Sequence, residues 1–361
     1  MRTTAARAAL AASLAGLALS GCSPFYVLRA AYEEGRILAG RRKIESVIED
    51  PRTTAAEREK LMLVPQARAF AREIGLIPGG SFTRFSRVSR DVLAWVLMAS
   101  RPDAFELHSW WFPVAGRLPY KGFFERKDAD AAARSLEAKG FETYIRPTDA
   151  FSTLGWFDDP LLSTTLRHDE TRIVEIVIHE TLHSTIWIGD AVDFNESLAN
   201  FVGTRASVDF FESLAAQAPG EAARTKALTL LQRARQGLHS EAALEKIVTS
   251  LYNDLAALYE SAQSRETKLA RRGEIFEQYI APLRSKNPHM QIFRQINNAE
   301  IMQLKIYLTG FSKFEKLFGM CSADWRKFLD ELKVLSREID QSEGPGPWEL
   351  LDRRLKEEQG V

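Results

Sequence analysis

The chain has 361 residues, 45% of them hydrophobic and 27% charged, which is the composition of a globular protein able to bury a substantial core as one large domain or two intimate subdomains. Lys and Arg together number 48, as do Asp and Glu. No basic excess is left to bind phosphates, which argues against a nucleic-acid partner.

The N-terminus reads apart from the rest. Arg2 and Arg7 precede or open an apolar run of 12 residues, AALAASLAGLAL at 8–19. At about 1.5 Å per residue it falls well short of a hydrocarbon core of about 30 Å, so residues 1–21 are a predicted signal peptide and not a spanning helix. The run ends in LSGC, Leu19 to Cys22, which resembles the lipobox of bacterial lipoproteins. That resemblance implies cleavage before Cys22, lipid modification of its thiol and, with Ser23 following, a place on the periplasmic face of the outer membrane. The predicted mature chain, 22–361, then holds no pair of thiols, and its fold cannot rest on disulfides. No other apolar run approaches spanning length, so lipid is the expected anchor.

Residues 22–80 carry apolar side chains at helical spacing with charges opposite, interrupted at Pro51 and closed by Gly79-Gly80, and are predicted helices. Across 81–160 the texture changes: VLAWVLMAS (92–100), FELHSWWFPVAG (105–116), YKGFF (120–124) and FETYIRP (141–147) are aromatic and branched, bounded by Gly and Pro, and read as strands. The alanine-rich segment between the last two reads as a helix with Gly140 at its C-cap. In 161–216, Asp169 caps a helix expected to run to Gly189, and a second begins near Asp193 or Asn195. Residues 217–361 read as almost wholly helical. The predicted class is α+β, dominated by helix, with a small zincin-like sheet packed on an active-site helix and a helical C-terminal part.

Within the first of those two helices stands IHETLH. His179 and His183 are four residues apart, so a helix puts both rings on one face, where they supply two corners of a tetrahedral zinc shell. Glu180 is rotated by about 100° from His179, which sets its carboxylate beside the ion, positioned to take a proton from a metal-activated water. This is the H-E-x-x-H pattern of metallopeptidases. Glu196 lies 13 positions after His183, past a turn that lets the chain reverse, and completes a predicted set of two histidines and one glutamate around one Zn²⁺ per chain.

These residues resemble the gluzincin metallopeptidases, whose second helix carries the third ligand in a setting like Asn195, Glu196 and Ala199. The linker between the helices is shorter than in the thermolysin and aminopeptidase N branches. More broadly, FYVLRAAYEEGRIL, LGWFDDPLLST, HETLHSTIWI, FNESLANFVG and INNAEIMQLKIY resemble a family of bacterial lipoproteins described as predicted aminopeptidases, from the anchor to residue 307. That resemblance implies a peptide substrate and a zinc-dependent hydrolase. It also makes Tyr307 a candidate oxyanion donor, and Asn297 and Asn298 are candidates for binding the substrate backbone or a free amine. Alternatives are a core tyrosine and a helix-capping asparagine pair.

Asp158 and Asp159 read as turn residues, or as partners of a ligand histidine with Trp156 packed beneath the site. His108, His168, His239 and His289 lack ligand spacing. Two readings stay open: a lipid-anchored zinc aminopeptidase, and a zinc-binding, catalytically weak or inactive envelope scaffold.

Overall fold

A computed structural model of the chain describes residues 32–357 apart from 34, 113–115, 149–157, 287–292, 294–295 and 341–343. Cys22, the predicted signal peptide, Trp156 and His289 lie outside the described residues. After a short helical segment at 35–39, the chain runs β1 (Arg42–Lys43), α1 (Ile44–Ile48), α2 (Ala55–Glu73), β2 (Arg84–Ser86), β3 (Ala94–Ser100), β4 (Trp110–Phe112), β5 (Gly116–Leu118), β6 (Tyr120–Phe123), α3 (Arg126–Glu137) and β7 (Glu142–Thr148). It continues with β8 (Leu161–Leu162), a 3-10 turn (Thr165–Arg167), α4 (Glu170–His183), α5 (Val192–Ala216), α6 (Glu221–Glu260), α7 (Arg265–Lys286), α8 (Asn298–Leu308), α9 (Phe311–Met320), α10 (Trp325–Asp340) and α11 (Pro347–Glu357). The protein is a helix-dominated α+β fold, and among the described residues no helix is long and apolar enough to cross a membrane.

Local chemistry sets the boundaries. Thr54 and Glu57 form a reciprocal capping box at the start of α2, satisfying donors that a helix leaves open. Asp169 accepts from Arg172 N at 2.9 Å and starts α4, a cap worth about 1 kcal/mol. Two expectations shift here. Gly140, with φ +83°, follows two residues behind the C-cap Ala138 of α3. And α4 ends at His183, not at Gly189. Ile188 N and O past its end are bonded instead by the Asn195 amide, so residues 184–191 form a loop and Asp190, not Gly189, adopts the positive φ of 56°.

The strand region is three sheets among the described residues: β6-β3-β7, the hairpin β4-β5, and β1-β2-β8, whose two-residue outer strands are too short to leave a period in the sequence. In the first, β3 is antiparallel to both neighbours, with Val96 opposite Gly122 and Arg146 and Met98 opposite Tyr120 and Tyr144. Directly opposed residues share a face, and alternate residues change face. Leu97, Ala99, Phe123 and Ile145 therefore face α3, packing on Ala133 and Leu136, while Val96, Met98, Tyr120, Tyr144 and Arg146 share the other face. The sheet rests on α3 and α8, whereas α4 packs on α5 and α2.

Helix α5 is the central spine. Phe194, Leu198, Phe201, Val202, Ala206 and Phe211 are all fully or almost fully buried, and it packs on α4, α6, α8 and α9. The apolar residues around the histidines, Ile173, Val174, Val177, Ile178 and Leu182, lie in the same core.

Candidate metal centre

One turn of α4 carries His179 and His183, and their Nε2 atoms face each other at 3.2 Å. Glu196, the fifth residue of α5, brings Oε2 to 3.5 Å from His179 Nε2 and 3.8 Å from His183 Nε2. Its approach depends on three neighbours. Asn195 clasps both backbone groups of Ile188, at 3.0 and 2.7 Å, and so closes the loop that returns the chain over α4. Gly203, two turns on, lies so close to α4 that a Cβ there would stand 2.9 Å from the Glu175 carbonyl oxygen and 3.2 Å from His179 Cβ. Ser197 Oγ donates to Ile306 O at 2.8 Å, drawing α8 and the adjacent Tyr307 against the same turn.

The donor set fits a zinc-like ion. Ligand atoms about 2.0–2.1 Å from a tetrahedral centre stand about 3.3–3.4 Å from one another, close to the three separations found. Two imidazole nitrogens and a carboxylate oxygen are the chemistry such an ion takes, and His179, His183 and Glu196 are a group able to hold a metal. Beside them, Glu180 Oε2 is buried without a hydrogen-bond partner among the described residues. His183 Nδ1 is likewise buried and, among the described residues, unbonded, a departure from metal-binding histidines that donate this atom to a carbonyl or carboxylate. Burial opposes charge on Glu196, yet the ring nitrogens of His179 and His183 beside it hold its carboxyl far below the usual range. Burial would lower the His183 pKa, and Glu196 more than reverses that.

Three residues that sequence reading did not single out complete the surroundings. Tyr120 and Arg146 come from the shared face of β6 and β7. The Tyr120 hydroxyl is pushed up to about 12 by burial and by Glu196, with Arg146 acting in the opposite sense. Tyr307, a sequence candidate, feels burial first and Glu196 next, and is raised further. Arg146 Nη2 donates to its hydroxyl oxygen at 3.1 Å. Trp187, on the 184–191 loop, stands edge-on to His183 at 5.4 Å and remains 36% exposed.

The other candidates serve the scaffold. Asn297 caps α8 through Glu300 N and reaches Thr143 O; Asn298 is fully buried, bridging Arg101 O and Tyr259 Oη. Asp158 accepts from Gly80 N and holds that turn, and the Asp159 carbonyl accepts from Phe82 N. His108 packs on Trp110 and Phe141, and His168 lends its carbonyl to Lys60.

A second acidic group lies further along the same helix faces, against residues one and two turns beyond Glu196. Asn200 and Thr204 of α5 donate to Glu241 at 2.8 and 3.0 Å, and burial together with Glu175 pushes its carboxyl up to about 7 from an ordinary 4.5. The folded chain thus keeps a proton that the unfolded chain releases near pH 4.5, so this group's contribution to stability is complete below that pH and is lost as pH rises through 7. Glu241→Gln, which can still accept both hydrogen bonds, is expected to stabilise the protein by about 2 kcal/mol above pH 7 and hardly at all near pH 4.5. Thermal unfolding of both proteins at the two pH values checks this; a gain independent of pH would contradict it.

A family model described as "Putative aminopeptidase" matches residues 25–344. No curated protein and no solved structure gives a significant match.

Proposed function

The chain belongs to the family described as "Putative aminopeptidase", and from that premise we propose that it is a zinc-dependent aminopeptidase of zincin-like design, with His179, His183 and Glu196 as metal ligands and Glu180 as general base and acid. The observation that carries this reading is the convergence of His179 Nε2, His183 Nε2 and Glu196 Oε2 within 3.2 to 3.8 Å of one another, with Glu180 Oε2 left without a hydrogen-bond partner among the described residues.

A bound zinc ion supplies Lewis acidity, polarising the scissile carbonyl and acidifying a water toward neutral pH. Glu180 takes the proton of the attacking water and passes it to the leaving amine. Arginine can only donate hydrogen bonds, so the Tyr307 oxygen accepts from Arg146 and the hydroxyl proton is left to donate. That makes Tyr307 the donor for the developing oxyanion. In this reading the protein is tethered to the envelope by lipid on Cys22, at the periplasmic face of the outer membrane, as the LSGC segment suggests.

The test is metal content. Residues 23–361, purified after metal supplementation, are expected to hold about one zinc per chain by mass spectrometry; His183→Ala loses it, and Glu196→Gln binds it more weakly. No zinc in the parent, or the same zinc in both variants, overturns the assignment.

A further inference from the structure

We propose that Arg146 is the anchor for a substrate carboxylate, the C-terminal one of a short peptide, so that the site favours dipeptides and tripeptides with a free C-terminus. The proposal rests on the peptidase reading above and narrows its substrate class.

Register places Arg146 here. It stands opposite Val96, on the face shared with Tyr120 and Tyr144, and faces α8. Its guanidinium is held by Tyr307, with Nη2 donating to the hydroxyl at 3.1 Å and the charged group 5.4 Å from the ring centroid. Among the described residues Nη1 has only a long bond to Pro147 O, at 3.4 Å. Nε is buried with no hydrogen-bond partner among the described residues. A guanidinium carries five donors in a fixed fork suited to a carboxylate, and leaving a buried donor unused is costly unless a ligand takes it. The side chain is therefore preorganised with donor capacity to spare.

Charge points the same way. A divalent ion on His179, His183 and Glu196, with Glu180 ionised, is neutral as a set; Arg146 then leaves a net positive charge. An anionic group of the substrate matches that surplus. Reach fixes which anion. Arg146 touches the tyrosine that faces the scissile carbonyl, and an extended peptide advances about 3.5 Å per residue, so the anchored carboxylate stands one or two residues from the bond cut. In a dipeptide or tripeptide the C-terminus lies there.

The experiment uses the zinc-loaded Glu180→Gln protein, whose turnover is slowed, titrated by calorimetry with Ala-Ala, Ala-Ala amide and Ala-Glu amide. Ala-Ala is expected to bind at least about tenfold more tightly than either amide, the scale of one charge-assisted pair. Adding Arg146→Gln brings that ratio to about one, and Arg146→Lys, which keeps the charge but loses the fork, retains part of it. Equal binding of Ala-Ala and its amide, a ratio unchanged in Arg146→Gln, or no binding of either peptide at millimolar concentration overturns the proposal. Ala-Glu amide binding as tightly as Ala-Ala would assign the anchor to a side-chain carboxylate and overturn the C-terminal form. Zinc content is read on every variant: full zinc without discrimination removes this inference alone, while absent zinc removes the peptidase reading beneath it.

Discussion

Glu180→Gln is expected to lower kcat for any peptide the protein cleaves by about 10²–10⁴-fold, the usual contribution of a positioned general base, with KM and zinc per chain unchanged. Glutamine matches glutamate in volume, and none of the described residues bonds to Glu180 Oε2, so the substitution breaks no described contact at that atom. It removes only the capacity to accept and return a proton. The loss should fall on kcat and kcat/KM alike, because the group acts in the transition state and not in holding the ground state. A variant within tenfold of the parent would show that another group moves the proton. A parent that binds zinc but cleaves nothing would instead favour the scaffold reading, since every residue of the motif is intact and its position beside the two histidines is already in place.

The part of this site that lay in local sequence was legible. Helical spacing alone put His179 and His183 on one face, and Gly189 and the Asn195-Glu196 pair announced a reversal that would return a carboxylate to them. The helix stopped six residues early because Asn195 competes for the backbone of Ile188, a contact between positions seven apart that no periodicity records. Arg146 and Tyr120 were hidden for a different reason. Each lies on a short strand read correctly as a strand, but the face that looks toward the site is fixed by the pairing of β6 and β7 with β3. The signal that could have found Arg146 is the alternation in Glu142–Thr148, where Tyr144 and Arg146 stand on one side and Thr143 and Ile145 on the other. A cation on the inward face of a strand is an expensive choice for a purely structural surface. The two-residue strands β1 and β8 had no such signal, because two residues cannot display a period.

Gly203→Ala is expected to weaken zinc binding by about 10–100-fold, the range seen when the supports of metal ligands are altered, and to destabilise the fold by about 1–3 kcal/mol through overpacking. In most helix interiors this substitution is favourable, by about 1 kcal/mol, so the sign itself is informative. Here the new Cβ would stand 2.9 Å from the Glu175 carbonyl oxygen and 3.2 Å from His179 Cβ. Neither neighbour is the free end of a flexible side chain; one is backbone and the other the root of a metal ligand. Relief must come from separating α4 and α5, and that separation is the same coordinate that sets Glu196 against the two histidines. Gly237→Ala is the matched control, since its Cβ would meet nothing nearer than Glu175 Oε1 at 3.7 Å, an ordinary contact, and it should leave zinc affinity alone. Competition with a chelator measures the affinities, and thermal unfolding of the metal-free proteins separates the packing cost from the metal. If Gly203→Ala binds zinc as tightly as the parent, the close approach of the two helices is not what holds the third ligand in place, and the Asn195 clasp on Ile188 must set Glu196 by itself.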